Sequence, residues 1–192
     1  MGPVERAMKD HATHPHTLNV ALLCQDDGRV AGQWPLLGMQ RLHDSLFAAP
    51  GAASAVDWSA SGTLLPAPGG EPQVWLHLQA SAPVALQCQR CLQAVAQTLE
   101  VDRRLRFVRS ETEAERLDET SEDDVLVLSP RLDLHALVED ELILALPLVP
   151  RHDGPCPEPL PMPADDLADE EPAPNPFAAL AALRTRRQDG KT

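Results

Sequence analysis

The sequence predicts an α+β domain: an antiparallel sheet over Val56–Val108 with a further strand at Val125–Leu128, and a helix over Leu134–Leu146 laid on its apolar face. Three patterns carry that expectation. Val74, Leu76, Leu78 and Ala80 alternate with Trp75, His77 and Gln79, the period of a half-buried strand. After Cys91, Leu92, Val95 and Leu99 fall at helical spacing. Val95, Leu99, Val101, Leu105 and Phe107 also lie on one face of a strand opposite Thr98, Glu100, Asp102, Arg104 and Arg106, a pattern twice as long, and strand is the expectation. From Leu134 the period becomes helical: Leu134, Leu137, Val138, Glu141, Leu142 and Ala145 form one stripe, Asp133 suits the N-cap, and Pro147 stops the run.

In chain order, Met1–His16 is polar, holds His11, His14 and His16, and reads as a disordered start. Leu18–Leu23 reads as a short strand before the Asp26-Asp27-Gly28 turn signal, and Pro35–Phe47 as a helix with Leu36, Met39, Leu42 and Leu46 on one face. Val56, Trp58 and Ala60 alternate with Asp57, Ser59 and Ser61 in a half-buried strand. Short links between the strands favour antiparallel pairing, because a parallel crossover needs more chain. Glu111–Asp124 reads as a mobile acidic loop. The expected organisation is a disordered start (1–17), one domain (18–156), an acidic Pro-rich linker (157–174), and a short helix with a tail (175–192).

The formal net charge of −13 is concentrated. Glu111–Asp124 carries eight acids and one arginine, and Asp153–Pro174 seven acids and no base, so the rest is close to neutral. With three Trp, three Phe and no Tyr, a base-stacking surface for single-stranded RNA is not expected. No signal-peptide pattern and no apolar run of membrane-spanning length is present, so a cytoplasmic protein is expected.

The chemistry-bearing residues are thiols. Cys88-Gln89-Arg90-Cys91 places two cysteines where a turn converges them, and His152-Asp153-Gly154-Pro155-Cys156 offers a second pair of soft ligands. If the two places meet, Cys88, Cys91, His152 and Cys156 form a closed four-ligand set for structural Zn2+, the one cofactor expected. Two other readings fit the same residues. A thioredoxin-like redox pair would need a helix starting just after Cys91, and buried structural thiols need no metal at all. Cys24 has no partner pattern and reads as a core residue.

Elsewhere the residues offer little chemistry. Glu139-Asp140-Glu141 are consecutive on a helix and point in different directions, so they cannot flank one bond. Glu139 and Asp140 read as the solvated face, whereas Glu141 falls in the apolar stripe and needs a buried partner such as an arginine. His77 and His135 stand alone and read as packing residues. Arg103, Arg104, Arg106 and Arg109 are the basic concentration of the core, a candidate phosphate-contacting patch or a solvated strand face. No Gly-rich phosphate loop, nucleophile elbow or metalloprotease helix is present.

Several of these stretches together are similar to the bacterial YceD family, whose members are called large ribosomal RNA subunit accumulation proteins. The resemblance rests on Leu86-Gln87-Cys88-Gln89-Arg90-Cys91, on Leu137-Val138-Glu139-Asp140-Glu141-Leu142-Ile143-Leu144-Ala145-Leu146-Pro147, and on Val149-Pro150 with His152-Asp153 to Cys156. It extends to Asn175-Pro176-Phe177-Ala178 with Leu180 and Leu183, and covers the chain from about Val56 to Arg184, the first fifty residues matching only loosely. The resemblance implies a role in the synthesis, processing or stability of 23S ribosomal RNA, with no known catalytic activity. A protein-binding assembly factor, docking through its sheet face and the helix bearing Asn175, Pro176, Phe177, Leu180 and Leu183, is the first expectation, its partners being ribosome-assembly or rRNA-processing proteins. The alternative is direct contact with precursor rRNA through Arg103, Arg104, Arg106 and Arg109, joined by Arg184, Arg186, Arg187 and Lys191. A thiol-redox protein and a metal-dependent nuclease are remoter, the latter lacking a carboxylate cluster for magnesium.

Overall fold

The computed structural model describes residues 14–47, 51, 54–120 and 124–157. Its centre is a five-stranded sheet in the order β1-β2-β3-β4-β5. The strands are β1 (Arg29–Pro35), β2 (Ala55–Leu65), β3 (Gln73–Gln87), β4 (Ala94–Val108) and β5 (Asp124–Val127). Pairing is antiparallel from β1 to β4, and Val74↔Phe107 through Gln87↔Ala94 set the long β3–β4 register. The class is α+β, as the alternation in β3 and β4 predicts. Leu76, Leu78 and Ala80 on β3 and Val95, Leu99, Val101, Leu105 and Phe107 on β4 are buried as expected, whereas Val74 is half-buried and Trp75, expected on the opposite face, is itself buried.

One expectation of the pairing fails. β5 runs parallel to β4, with Leu105↔Asp124 through Val108↔Val127 in register. The acidic stretch between them is long enough for a crossover and holds a helix of its own, α3 (Glu111–Asp118), in place of the expected mobile loop. Ser110 caps it by accepting from Glu113 N at 3.3 Å, and Glu111 and Glu113 lie in the first turn, where the helix dipole favours acids.

The N-terminal third also departs from the period-based reading. Val20–Gln25 is helix α1, not a strand. Asn19 accepts from Leu22 N at 3.1 Å, and this cap outweighs the β-propensity of a run too short to fix a period. Arg29–Pro35 pairs with β2 as an edge strand, and Pro35–Phe47 breaks into a 3-10 turn (Leu36–Gly38) and a single-turn helix α2 (Gln40–His43). Leu36, Met39 and Leu42 are still fully buried, so the apolar residues belong to the core although the long helix does not form. Pro15–Thr17 makes a 3-10 turn, and Leu18 bridges Leu132 with two 2.9 Å hydrogen bonds. Residues 1–13 and 158–192, with the linker and helix expected there, lie outside the described residues.

Helix α4 (Leu134–Leu144) contacts β3 and β4 and takes its cap from Asp133, which accepts from Ala136 N at 3.1 Å. Leu134, Val138 and Leu142 are fully buried. Beside it α1 packs against β2 and β3, close enough that a Cβ at Gly62 would meet Cys24 N at 2.7 Å and Cys24 Sγ at 2.9 Å. Cys24 is a core residue as expected: burial pushes its thiol up, and it donates to Trp75 O at 3.2 Å.

The acids of α4 divide differently from the expectation. Glu139, read as solvated, is buried; its side chain is 8% exposed. Its Oε1 accepts from Arg41 N at 2.7 Å and Leu42 N at 3.2 Å, and its Oε2 from Arg41 Nε and Nη2 at 3.1 and 2.9 Å. Glu139 thus satisfies the unpaired backbone donors at the start of α2, and Asp140 stays exposed while also bonding Arg41. Glu141 has the arginine that its position demands, Arg103 Nε at 3.2 Å. Arg41 gave no signal in the sequence because its partners lie about a hundred residues away.

This carboxylate yields a prediction. Glu139→Ala leaves two backbone N–H groups without an acceptor and should lower stability by about 3 kcal/mol. Asp140→Ala, at an exposed ion pair, should change it by less than about 1 kcal/mol. Urea unfolding of the two variants checks the ranking.

Candidate metal centre

The β3–β4 connection is a tight knuckle carrying Cys88 and Cys91. Cys88 N donates to Gln93 O at 2.9 Å and Leu92 N to Cys88 O at 2.8 Å. Leu92 takes a φ of 61°, a left-handed conformation uncommon outside glycine and held here by the knuckle's own hydrogen bonds. Leaving α4, the chain passes Pro147 and comes back against this knuckle, where Pro150 O accepts from Gln89 N at 2.9 Å. Arg90 reaches across and donates to His152 O at 3.1 Å and Gly154 O at 2.9 Å. Three hydrogen bonds thereby hold the two arms together before any side-chain ligand is considered. Arg90 gave no such signal in the sequence, because the carbonyls it binds lie some sixty residues away.

The four expected ligands converge. One donor atom from each of Cys88, Cys91, His152 and Cys156 lies within 4.8 Å of every other. Cys88 Sγ and Cys156 Sγ are 3.9 Å apart, and Cys91 Sγ and His152 Nδ1 are 3.7 Å apart. A tetrahedral ion with metal–sulfur bonds of about 2.3 Å separates its sulfurs by about 3.8 Å, so the set is compatible with a metal site. Cys88 and Cys91 are buried, and His152 and Cys156 half-buried. No other group of three or more such ligands converges among the described residues.

Two of the thiols are shifted in opposite directions. Burial alone would push the Cys88 thiol up, but the backbone N–H groups of Arg90, Cys91 and His152, with the Cys91 thiol, bring it down to about 5. Burial pushes Cys156 up to about 11, aided by the Cys91 and Cys88 sulfurs. One thiolate is thus stabilised by the knuckle itself, and a second anion beside it is disfavoured without a positive charge between them. The residue after Cys91 opens no helix: Ala94 begins β4, so the dipole that a redox pair would use is missing.

The arginine patch is dispersed by the sheet. Arg103 lies on the covered face, bonded to Glu141 and 3.7 Å from Asp124. Arg109 pairs with Glu71 at 2.7 Å, and the Arg104 guanidinium sits 5.2 Å from the centre of the Trp75 ring. Arg106 is half-buried beside them. His77, read as a packing residue, is instead on the open face, its Nε2 2.7 Å from Asp102 Oδ1; His135 packs 4.9 Å from Trp34, as expected. Asn175, Pro176, Phe177, Leu180 and Leu183 lie outside the described residues. No helix among those residues is long and apolar enough to cross a membrane.

Comparison with known proteins converges on one family. The model of the family described as large ribosomal RNA subunit accumulation protein YceD matches residues 76–184, more than half of the chain. A protein of Haemophilus influenzae with that same description is 41% identical over 106 residues, covering 54% of this chain and 61% of the relative's own length. No solved structure matches.

The shifted thiols set a pH dependence. A Cys88 thiol held at about 5, against 9.0 when unfolded, adds stability that is complete above the higher value and is lost as pH falls towards the lower. A raised Cys156 works oppositely, removing stability as pH climbs from 9.0 towards about 11. For metal-free protein, the urea-unfolding gap between the wild type and Cys88→Ser should widen from about pH 6 to about pH 9.

Proposed function

Because the chain belongs to the family of large ribosomal RNA subunit accumulation proteins YceD, we propose that it is a non-enzymatic, protein-binding assembly factor acting in the cytoplasm, needed for large-subunit 23S ribosomal RNA to accumulate and carrying a structural zinc at Cys88, Cys91, His152 and Cys156. The family match across β3, β4, α4 and both arms of the thiol site is the observation that carries this reading. Its supports are chemical as well. All four ligands come from the protein, so zinc would have no open position for substrate or water and would supply fastening rather than catalysis. The described acids that are buried or nearly so, Glu139 and Glu141, are paired with Arg41 and Arg103.

Direct contact with rRNA has less support. Of the β4 arginines, Arg103 and Arg109 are in ion pairs and Arg104 lies over an indole, so among the described residues this patch has few cations free to displace counterions from a phosphate backbone. RNA binding that falls steeply with salt and is lost in an Arg104→Glu, Arg106→Glu variant would favour it.

Two measurements follow. Metal analysis of purified protein should find about one zinc per chain in the wild type and none in Cys88→Ser, and chelation should lower the thermal midpoint of the wild type alone. Depleting the protein from its host should reduce large-subunit rRNA relative to small-subunit rRNA. An unchanged ratio contradicts the functional reading.

A further inference from the structure

The two edges of the sheet are not alike. β5 is four residues long and has helix α3 packed against it. β1, at the opposite edge, runs for seven residues, and from Val30 to Pro35 it carries no charged side chain. Natural sheets blunt a long edge with lysines, inward charges, bulges or a covering element. β1 has only Pro35, at its last position, and its register with β2 is unbroken from Arg29↔Ser61 to Pro35↔Ala55.

The direction of its backbone groups follows from the ladder. Gly62 N donates to Gly28 O and Leu36 N to Ser54 O, one bond at each end of β1. Antiparallel pairs alternate, so the even-numbered residues of β1 turn their N–H and C=O groups to β2. Arg29, Ala31 and Gln33 therefore turn theirs outward, as does the Pro35 carbonyl. Among the described residues no other backbone group bonds to them. Ala31, Gly32 and Gln33 are exposed.

We propose that this edge pairs with β1 of a second copy of the chain, antiparallel about a two-fold axis at Gly32, joining the two sheets into one. The strand is complementary to itself in that register. Ala31 faces Gln33 of the other copy, and Arg29 faces Pro35, whose missing N–H falls at the end of the ladder; about six backbone hydrogen bonds form. The even positions become the closely spaced pairs, with Cα atoms about 4.5 Å apart. Val30 then meets Trp34, an aromatic and a β-branched side chain of the kind that stabilises a sheet, and both already pack against the core of their own copy. Gly32 meets its own equivalent with no side chain in the way. On the open face Arg29 is bonded to the Ser59 hydroxyl, and exposed Asp57 only to the neutral Gln33. The two-fold turns each Arg29 towards Asp57 of the other copy. This reciprocity about Gly32 favours a second copy over an unrelated extended segment, which would use the backbone groups alone.

Sedimentation equilibrium of the full chain from about 1 to about 100 μM tests the proposal, and should give twice the 20.8 kDa of one chain. Ala31→Pro removes an outward N–H and no bond to β2, so it should weaken the dimer about tenfold or more while the far-UV circular dichroism stays that of the wild type. Should that variant not fold, the charges decide. Arg29→Glu should weaken association about threefold or more, and adding Asp57→Arg should restore it, because the swapped charges face each other only between copies. A chain that stays monomeric, leaving the edge to a segment of another protein, overturns the proposal. So does a dimer that a folded Ala31→Pro variant leaves intact, or one that the charge swap does not restore.

Discussion

The structure depends on two arms of chain, some sixty residues apart in sequence, being held together at one corner. One arm is the turn of the longest hairpin in the sheet; the other is the segment leaving the helix that covers that sheet. Gln89 and Arg90 bind the second arm through three backbone carbonyls, and this brings His152 and Cys156 beside Cys88 and Cys91. Closing so long a loop is entropically expensive, which is why a bond made there stabilises the fold more than one within a single turn. The middle of α4 is fixed separately by Glu139, which binds the start of α2 at Arg41 and Leu42. The core between helix and sheet is aliphatic and includes Leu76, Leu78, Leu105, Leu134 and Leu142.

How much of this was legible follows from how local each signal was. β3 was readable because Val74–Ala80 alternates without a break, and β4 because its strand pattern runs about twice as far as the helical spacing of Leu92, Val95 and Leu99; the Asp133 cap and Pro147 bounded the helix. The meeting of Cys88, Cys91, His152 and Cys156 was readable because thiols three and four positions from a second soft ligand are rare by chance. Short segments were not readable. Leu18–Leu23 is apolar in any conformation, and the Asn19 cap decides for helix only once Leu18 is pinned to Leu132. Pro35–Phe47 showed helical spacing, yet edge pairing to β2 claims the chain up to Pro35 and leaves the rest in single turns. The parallel β5 was hidden by composition, since a stretch of eight acids reads as loop even when Ser110 caps a helix within it.

Charge was the other source of surprise. Sequence placed the arginines of β4 together, but strand alternation puts Arg103 on the covered face, where it neutralises Glu141, and leaves Arg104 and Arg106 on the open one. Arg103, Arg104 and Arg109 each have a different neighbour, Glu141, the Trp75 ring and Glu71.

The central claim is that Cys88, Cys91, His152 and Cys156 bind one zinc ion together, and X-ray absorption at the zinc edge of the purified protein tests it most directly. The account predicts a four-coordinate ion with three sulfurs at about 2.3 Å and one nitrogen at about 2.0–2.1 Å. A shell of oxygen and nitrogen alone, or sulfur coordination that survives Cys156→Ser unchanged, would contradict it.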